Sequence, residues 1–155
     1  MKKETLKRIF DFLENKGEHK APFMWKLINN EPLTKKDLNV KGDLDLSNSN
    51  ITLLPEGLKV GGSLLLDMTR FLKSLPKGLK VFGYLDLSYS GIKSLPEDLE
   101  VSGELNLTDT ELTSLPKGLK VGGNLDTTYT PLTKYSDEEL REMIQPGFIK
   151  GEIYR

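Results

Sequence analysis

The pair Leu-Pro recurs at positions 54–55, 75–76, 95–96 and 115–116, and each time it opens the same phrase: LPEGLKVGGSLLLD, LPKGLKVFGYLDLS, LPEDLEVSGELNLT and LPKGLKVGGNLDTT. The prolines stand 21, 20 and 20 residues apart. A weaker copy, LNVKGDLDLSNSNITLLP, precedes them from Leu38, and Tyr135-Ser136 takes the next Leu-Pro position, so five units fill residues 38–135. A unit of about 20 residues cannot close a core of its own; copies in register bury their apolar side chains only by stacking on one another.

Within the units the apolar residues form columns. Val40, Val60, Val81, Val101 and Val121 make one; Leu44, Leu64, Leu85, Leu105 and Leu125 a second; Leu46, Leu66, Leu87 and Leu107, with Thr127 departing, a third. Three more are Ile51, Leu72, Ile92, Leu112, Leu132; Leu54, Leu75, Leu95, Leu115, Tyr135; and Leu38, Leu58, Leu79, Leu99, Leu119. In GYLDLS and its equivalents apolar and polar residues alternate, the period of a strand with one buried face. The rest of each unit, GIKSLPEDLE for example, has a proline in its middle. The missing amide donor, and the extended residue that must precede it, exclude a regular helix. One short strand and an extended return are therefore expected in every rung. Gly57, Gly78 and Gly118, with Asp98 in one copy, mark a predicted left-handed turn position. Gly42, Gly62, Gly83, Gly103 and Gly123 precede the strands, where a close turn is expected to leave no room for a β-carbon. The surplus residue of the second unit falls within residues 68–71 and predicts a bulge.

Residues 1–37 and 136–155 flank the array. Lys3 to Lys16 place Leu6, Ile9, Phe10 and Leu13 on one helical face, with Gly17 as a stop. PFMWKLIN, from Pro22 to Asn29, is a second short apolar helix; its Trp25 reads as cap core in preference to a partner contact. SDEELREMIQ begins with Ser136 and Glu139 in capping-box spacing and stops at Pro146-Gly147. N-terminal helices and a short C-terminal helix are thus predicted to cap the array.

The 22 basic and 23 acidic residues give a formal charge of −1, so total charge implies no general attraction to nucleic acid or membrane. Absence of cysteine excludes a disulfide framework, a thiolate zinc site and a cysteine nucleophile. Lys2-Lys3 is followed by ETLKRIFDFLENKGEHK, too charged for a signal peptide, and no apolar run reaches about 18 residues; a cytoplasmic location is expected. His19, the sole histidine, sits in the loop-like GEHKAP and offers no triad, so no enzymatic activity is expected. KVGG, which occurs twice, lacks the helix N-terminus of a phosphate loop. Asp45 with Asp67, or Asp86 with Glu104, lack calcium-loop spacing, and no metal or other cofactor is expected.

The strand pattern L-x-L followed by S/T-x-[IL]-x-x-L-P resembles the leucine-rich-repeat family, in the form of the short bacterial repeats that end in Leu-Pro. The fuller LPxGLxVxGxLxLS is similar to repeats in proteins of bacteria and their phages. The likeness covers about residues 38–135 and implies a leucine-rich-repeat solenoid: short parallel β-strands, extended convex returns, and recognition of a protein through the concave sheet. The family's asparagine, which bonds backbone groups between rungs, is replaced here by Ser49, Ser90, Thr110 and Thr130.

If the strand leucines point inward, the concave positions are Asp43, Asp45, Ser47; Ser63, Leu65, Asp67; Tyr84, Asp86, Ser88; Glu104, Asn106, Thr108; and Asn124, Asp126, Thr128. Six of these fifteen are acidic and none is basic, while Lys59, Lys73, Lys77, Lys80, Lys93, Lys117 and Lys120 gather on the return. Two readings are open. Polar outward positions protect an open sheet against edge pairing. Yet aspartate is a poor strand former, and like charges on neighbouring rungs repel within a Debye length of about 8–10 Å. An acidic binding surface would give that charge a use. Its partner-binding residues are then Asp43, Asp45, Leu65, Asp67, Tyr84, Asp86, Glu104, Asn106, Asn124 and Asp126, with Leu65 and Tyr84 as apolar anchors. Tyr89 and Tyr129 either extend the patch or pack in the turn. The expected function is a non-catalytic protein–protein interaction module for a basic partner; the resemblance to phage and bacterial repeats implies an inhibitor or effector of a host protein. The alternative is a structural or self-assembling scaffold component acting through its lysines or end helices, with a monomer favoured. Nucleic acid and membrane are not expected partners.

Overall fold

The leucine columns stack, and the backbone between them pairs level by level into a parallel β-solenoid. The computed structural model describes Phe23, Trp25, Lys26 and residues 31–155. Each level carries two strands of two residues. The first strands are β1 (Asn39–Val40), β3 (Lys59–Val60), β5 (Lys80–Val81), β7 (Glu100–Val101), β9 (Lys120–Val121) and β11 (Phe148–Ile149). The second are β2 (Leu44–Asp45), β4 (Leu64–Leu65), β6 (Leu85–Asp86), β8 (Leu105–Asn106), β10 (Leu125–Asp126) and β12 (Ile153–Tyr154). They form two six-stranded parallel sheets, β1-β3-β5-β7-β9-β11 and β2-β4-β6-β8-β10-β12. The return thus holds a strand that the single-strand expectation omitted. Leu58-Lys59-Val60 alternates buried, exposed, buried, and that is enough to add a second ladder.

The six predicted columns are the core. Their members are buried except the half-buried Leu38 and Tyr135 at the two ends. Thr127, standing in a leucine column, is buried too, and its hydroxyl donates to the Tyr154 carbonyl at 2.9 Å. A bend joins the two sheets, and glycines line it. Gly83 donates its N–H to Gly62 O at 2.8 Å, Gly103 to Gly83 O at 3.1 Å and Gly123 to Gly103 O at 2.8 Å. A β-carbon on Gly103 would lie 2.6 Å from Gly83 O, closer than van der Waals contact allows. Beside Gly42 no described atom lies within 4 Å, so the steric requirement expected there begins one level later. The third side of the solenoid is irregular. Pro55, Pro76, Pro96 and Pro116 have no amide to donate, and a lone bridge, Ser74 to Ser94, pairs there outside the named strands.

Gly57, Gly78 and Gly118 take φ of 72°, 71° and 78°. Asp98 does not share their left-handed conformation. Its carboxylate accepts the Gly78 N–H at 2.8 Å, standing in for the carbonyl that Lys77 offers Gly57 at 3.2 Å one level down. A second left-handed column follows the second strands: Asn48, Met68, Tyr89, Asp109 and Tyr129, at φ of 51° to 59°. Asn and Asp tolerate this region through local hydrogen bonding; for other L-residues it costs roughly 1–2 kcal/mol. Next in the chain, the hydroxyls of Ser49, Thr69, Thr110 and Thr130 donate to the carbonyl three residues back at 2.6, 2.5, 2.8 and 2.6 Å. They close their own turn and do not bridge levels. Ser90 Oγ is buried with no partner. The surplus residue of the second unit makes an extra turn, in which Arg70 N–H donates to Met68 O and Leu72 N–H to Thr69 O. That turn brings Arg70 O to 2.1 Å from where a β-carbon on Gly91 would sit.

Beyond β10 a 3₁₀ turn, Pro131–Lys134, leads into α1, Asp137–Met143. Ser136 caps it: its hydroxyl accepts Glu139 N–H at 3.2 Å and the Glu139 carboxylate accepts Ser136 N–H at 2.7 Å. Leu140 and Ile144 enter the core. The tail then returns to the solenoid as β11 and β12. Arg141 ties helix to tail, donating to the carbonyls of Ile149 and Gly151. At the other end, the helices expected over Lys3–Lys16 and Pro22–Asn29, and His19, lie outside the described residues apart from Phe23, Trp25 and Lys26. Phe23 is buried and Trp25 half-buried. Lys26 pairs with Asp37, whose carboxylate also accepts the Thr34 N–H and hydroxyl at 2.6 and 2.7 Å. Burial pushes the Asp37 carboxyl up, but these bonds outweigh it and hold it below the ordinary range.

The glycine corner yields a paired prediction. Gly103→Ala forces a β-carbon into backbone and is expected to cost about 1–3 kcal/mol, measured by urea denaturation. Gly42→Ala is expected to leave the midpoint nearly unchanged. Equal effects would contradict the close stacking.

Candidate partner-binding face

The second sheet carries the residues that the sequence places on the binding surface, and register aligns them in two outward columns. The first is Asp45, Leu65, Asp86, Asn106, Asp126 and Tyr154. The second, one residue ahead of each strand leucine, is Asp43, Ser63, Tyr84, Glu104, Asn124 and Glu152. Asp67 lies in the turn after β4. Asp43, Asp45 and Glu104 are exposed; Leu65, Asp67, Tyr84, Asp86, Asn106, Asn124 and Asp126 are half-buried. Tyr154 and Glu152 were missed by sequence reasoning. Their signal is GEIY, which repeats the Gly-x-[LI]-x phrase of the other levels without a preceding Leu-Pro.

Most of these polar side chains hold backbone. Asp45 Oδ1 accepts Ser47 N–H at 2.9 Å, Asp86 Oδ1 accepts Ser88 N–H at 2.9 Å, and Asp126 Oδ1 accepts Thr128 N–H at 2.8 Å. Asn106 Oδ1 does the same for Thr108 at 2.9 Å. In the other column Asp43 Oδ1 accepts Ser63 N–H at 2.7 Å and Asn124 Oδ1 accepts Glu152 N–H at 3.0 Å, each linking to the next level. Aspartate at these strand ends therefore has a local reason, because its carboxylate closes the turn that follows. The expected repulsion between neighbouring rungs is also smaller than the sequence implies. Leu65 separates Asp45 from Asp86 and Asn106 separates Asp86 from Asp126, so acids in one column stand two levels, roughly 10 Å, apart.

Tyr84 sits at the middle of the face. Its hydroxyl accepts Asn106 Nδ2–H at 3.0 Å. Burial, reinforced by the Asp86 and Glu104 charges and opposed by the Asn106 bond, pushes the phenol up to about 12.

The first sheet has the opposite sign. Its outward positions hold Lys41, Lys59, Lys80, Lys120 and Lys150 against one acid, Glu100. Lys80 and Lys120 reach Glu100 from either side at 2.6 and 3.1 Å, and their hydrogen bonds hold its carboxyl below the ordinary range. A groove of about 250 Å³ runs beside this triad between Phe82 and Phe148. The lysines expected on the back are thus split: Lys59, Lys80 and Lys120 lie on this sheet, while Lys73, Lys77, Lys93 and Lys117 occupy the irregular side. Among the described residues no group of three or more His, Cys, Asp or Glu could hold a metal ion. Nor is any helix among them long and apolar enough to cross a membrane.

Compared with protein-family models, with curated proteins and with solved structures, the chain finds no match.

The Tyr84 environment can be read by titration. A raised phenol favours the folded state while protonated, so that contribution is full below the ordinary value of 10.0 and is lost as pH rises through about 12. In an absorbance titration of tyrosinate, Tyr84→Phe is expected to abolish a late component near 12. A wild-type curve complete by pH 11 would contradict the burial.

Proposed function

We propose that the chain is a non-catalytic protein-binding module of the leucine-rich-repeat type, and that it holds a basic partner surface against the outer face of its second sheet. The observation that carries this reading is the division of charge. The outward columns of the second sheet carry six acidic side chains and no lysine or arginine, while the first sheet carries five lysines and one acid. Such a field steers a cationic partner toward one face and away from the other. Tyr84 supplies a central aromatic there and Tyr154 extends the face at the last level. The in-register Leu-Pro units and their alternating leucines support the repeat type. The likeness to bacterial and phage repeats supports a role as inhibitor or effector of a host protein, and the cysteine-free sequence suits work in the cytoplasm.

One observation favours a second reading. Because the two sheets carry opposite charge, the lysine face of one copy complements the acidic face of another, as a self-assembling scaffold would require. Light scattering that shows a monomer up to millimolar concentration would remove it.

The main reading is tested by replacing Asp45, Asp86 and Asp126 together with asparagine. Asn106 already fills the same position and accepts the same amide, so the triple variant keeps its turns while losing three charges. With a ten-residue polylysine peptide, calorimetry should show roughly tenfold weaker binding and a shallower salt dependence, with the melting temperature little changed. Unaltered affinity would sink the proposal.

A further inference from the structure

At the last level of the solenoid the two sheets finish differently. In the first sheet, Val121 O accepts Lys150 N–H at 3.0 Å and Gly123 O accepts Gly151 N–H at 3.0 Å. One level on, the equivalent carbonyls are Ile149 O and Gly151 O, and the Arg141 guanidinium takes both, donating from Nη1 to the one and from Nη2 to the other. The edge along β11 and its corner is therefore closed by a side chain that stands in for two amides.

In the second sheet the amides point the other way, toward the following level. Leu125 N–H donates to Glu152 O at 2.9 Å and Thr127 N–H to Tyr154 O at 2.8 Å. The same groups one level on are Ile153 N–H and Arg155 N–H, and neither has an acceptor among the described residues. The Arg155 side chain is engaged elsewhere, with Tyr135 O at 3.0 Å and the Asp137 carboxylate at 2.9 Å. This bare edge is also acidic. The Glu152 charge, with some burial and the charges of Glu104 and Asp126, pushes the Tyr154 phenol up.

We infer that β12 is an open edge for strand addition, and that a partner seats there an extended segment of the form basic, β-branched, basic, parallel to β12 as a seventh strand of the second sheet. The inference rests on the acidic face proposed above and adds the backbone that orders a partner on it. Unpaired edge amides are met by the carbonyls of an extended chain. Register then dictates the side chains. Continuing each column by one level puts one outward residue beside Glu152 and the next beside Tyr154, with the residue between them turned inward after Leu125 and Ile153. A lysine or arginine beside Glu152 forms an opposite-charge pair across the strands, and a second one meets the Tyr154 ring. An acidic segment would meet like charge from Glu152 and Asp126.

The experiment uses the full chain, the acetylated and amidated peptide SKVKVKS, and a copy of that peptide methylated at the backbone nitrogen of each lysine. The copy keeps every charge and loses the amides that would donate to Ile153 O. By amide chemical-shift titration, the wild type should bind SKVKVKS with shifts centred on residues 152–155, and bind the methylated copy roughly fivefold more weakly. Arg155→Pro and Arg155→Ala lose the same side chain, but only proline removes an edge amide, at a place where an edge strand tolerates it. The proline variant should bind SKVKVKS roughly fivefold more weakly than the alanine variant, at a similar melting temperature. Equal binding of the two peptides by the wild type, or of SKVKVKS by the two variants, would overturn the open edge; if the proline variant melts well below the alanine one, the peptide pair decides alone. Where the edge fails, replacing Asp45, Asp86 and Asp126 with asparagine separates it from the wider reading. Weaker binding of SKVKVKS by that variant leaves the acidic face standing without the edge. Unaltered binding, or a wild type that binds neither peptide, removes face and edge together.

Discussion

A strand of two residues has no stability of its own, so everything in this molecule depends on the amide-to-carbonyl bonds that each level shares with the next. These bonds fix the register: Leu64 lies against Leu44 and Leu85, and Val60 against Val40 and Val81. Once register is fixed, every inward side chain meets its own equivalent above and below. A leucine column then packs uniformly, and a level that departed from it would leave a cavity felt on both sides. The same bonds set the corner between the sheets, where a β-carbon on Gly103 would run into Gly83 and one on Gly83 into Gly62. Repetition of sequence is thus a consequence of repetition of hydrogen bonding.

The inward half of the structure was legible for that reason. Periodic leucines, valines and glycines report contacts that recur at each level, and the six columns read from spacing are the core. The elements that escaped are those where the backbone does what no side-chain pattern announces. The first sheet rests on strands such as Lys59–Val60, whose alternation ends at Val60 because glycine follows, whereas the leucines of the second sheet alternate further, as in Leu85-Asp86-Leu87. The last level, Phe148–Ile149 and Ile153–Tyr154, lacks the Leu-Pro that marks its predecessors because α1 occupies its return. Asp98 was misread because residue type suggested a backbone conformation, whereas its carboxylate replaces a carbonyl.

Which residues face outward from the second sheet was largely legible in the sequence; why so many of them are acidic was not. From the sequence, aspartate on a strand looks costly and in need of a use. The structure supplies one locally, since the carboxylates of Asp45, Asp86 and Asp126 each accept the amide two residues on. One side chain therefore closes a turn and charges a surface together. Asn106 shows that the two roles are separable: it keeps the hydrogen bond and omits the charge. The acidity of the face is thus a choice made beyond what the turn requires.

The acids are also spaced. The backbone repeats at every level, so any feature it demands should appear at every level, as the glycines and leucines do. Asp45, Asp86 and Asp126 appear at alternate levels. For the acids a two-level period has a physical ground within the chain, because interposed Leu65 and Asn106 keep like charges apart.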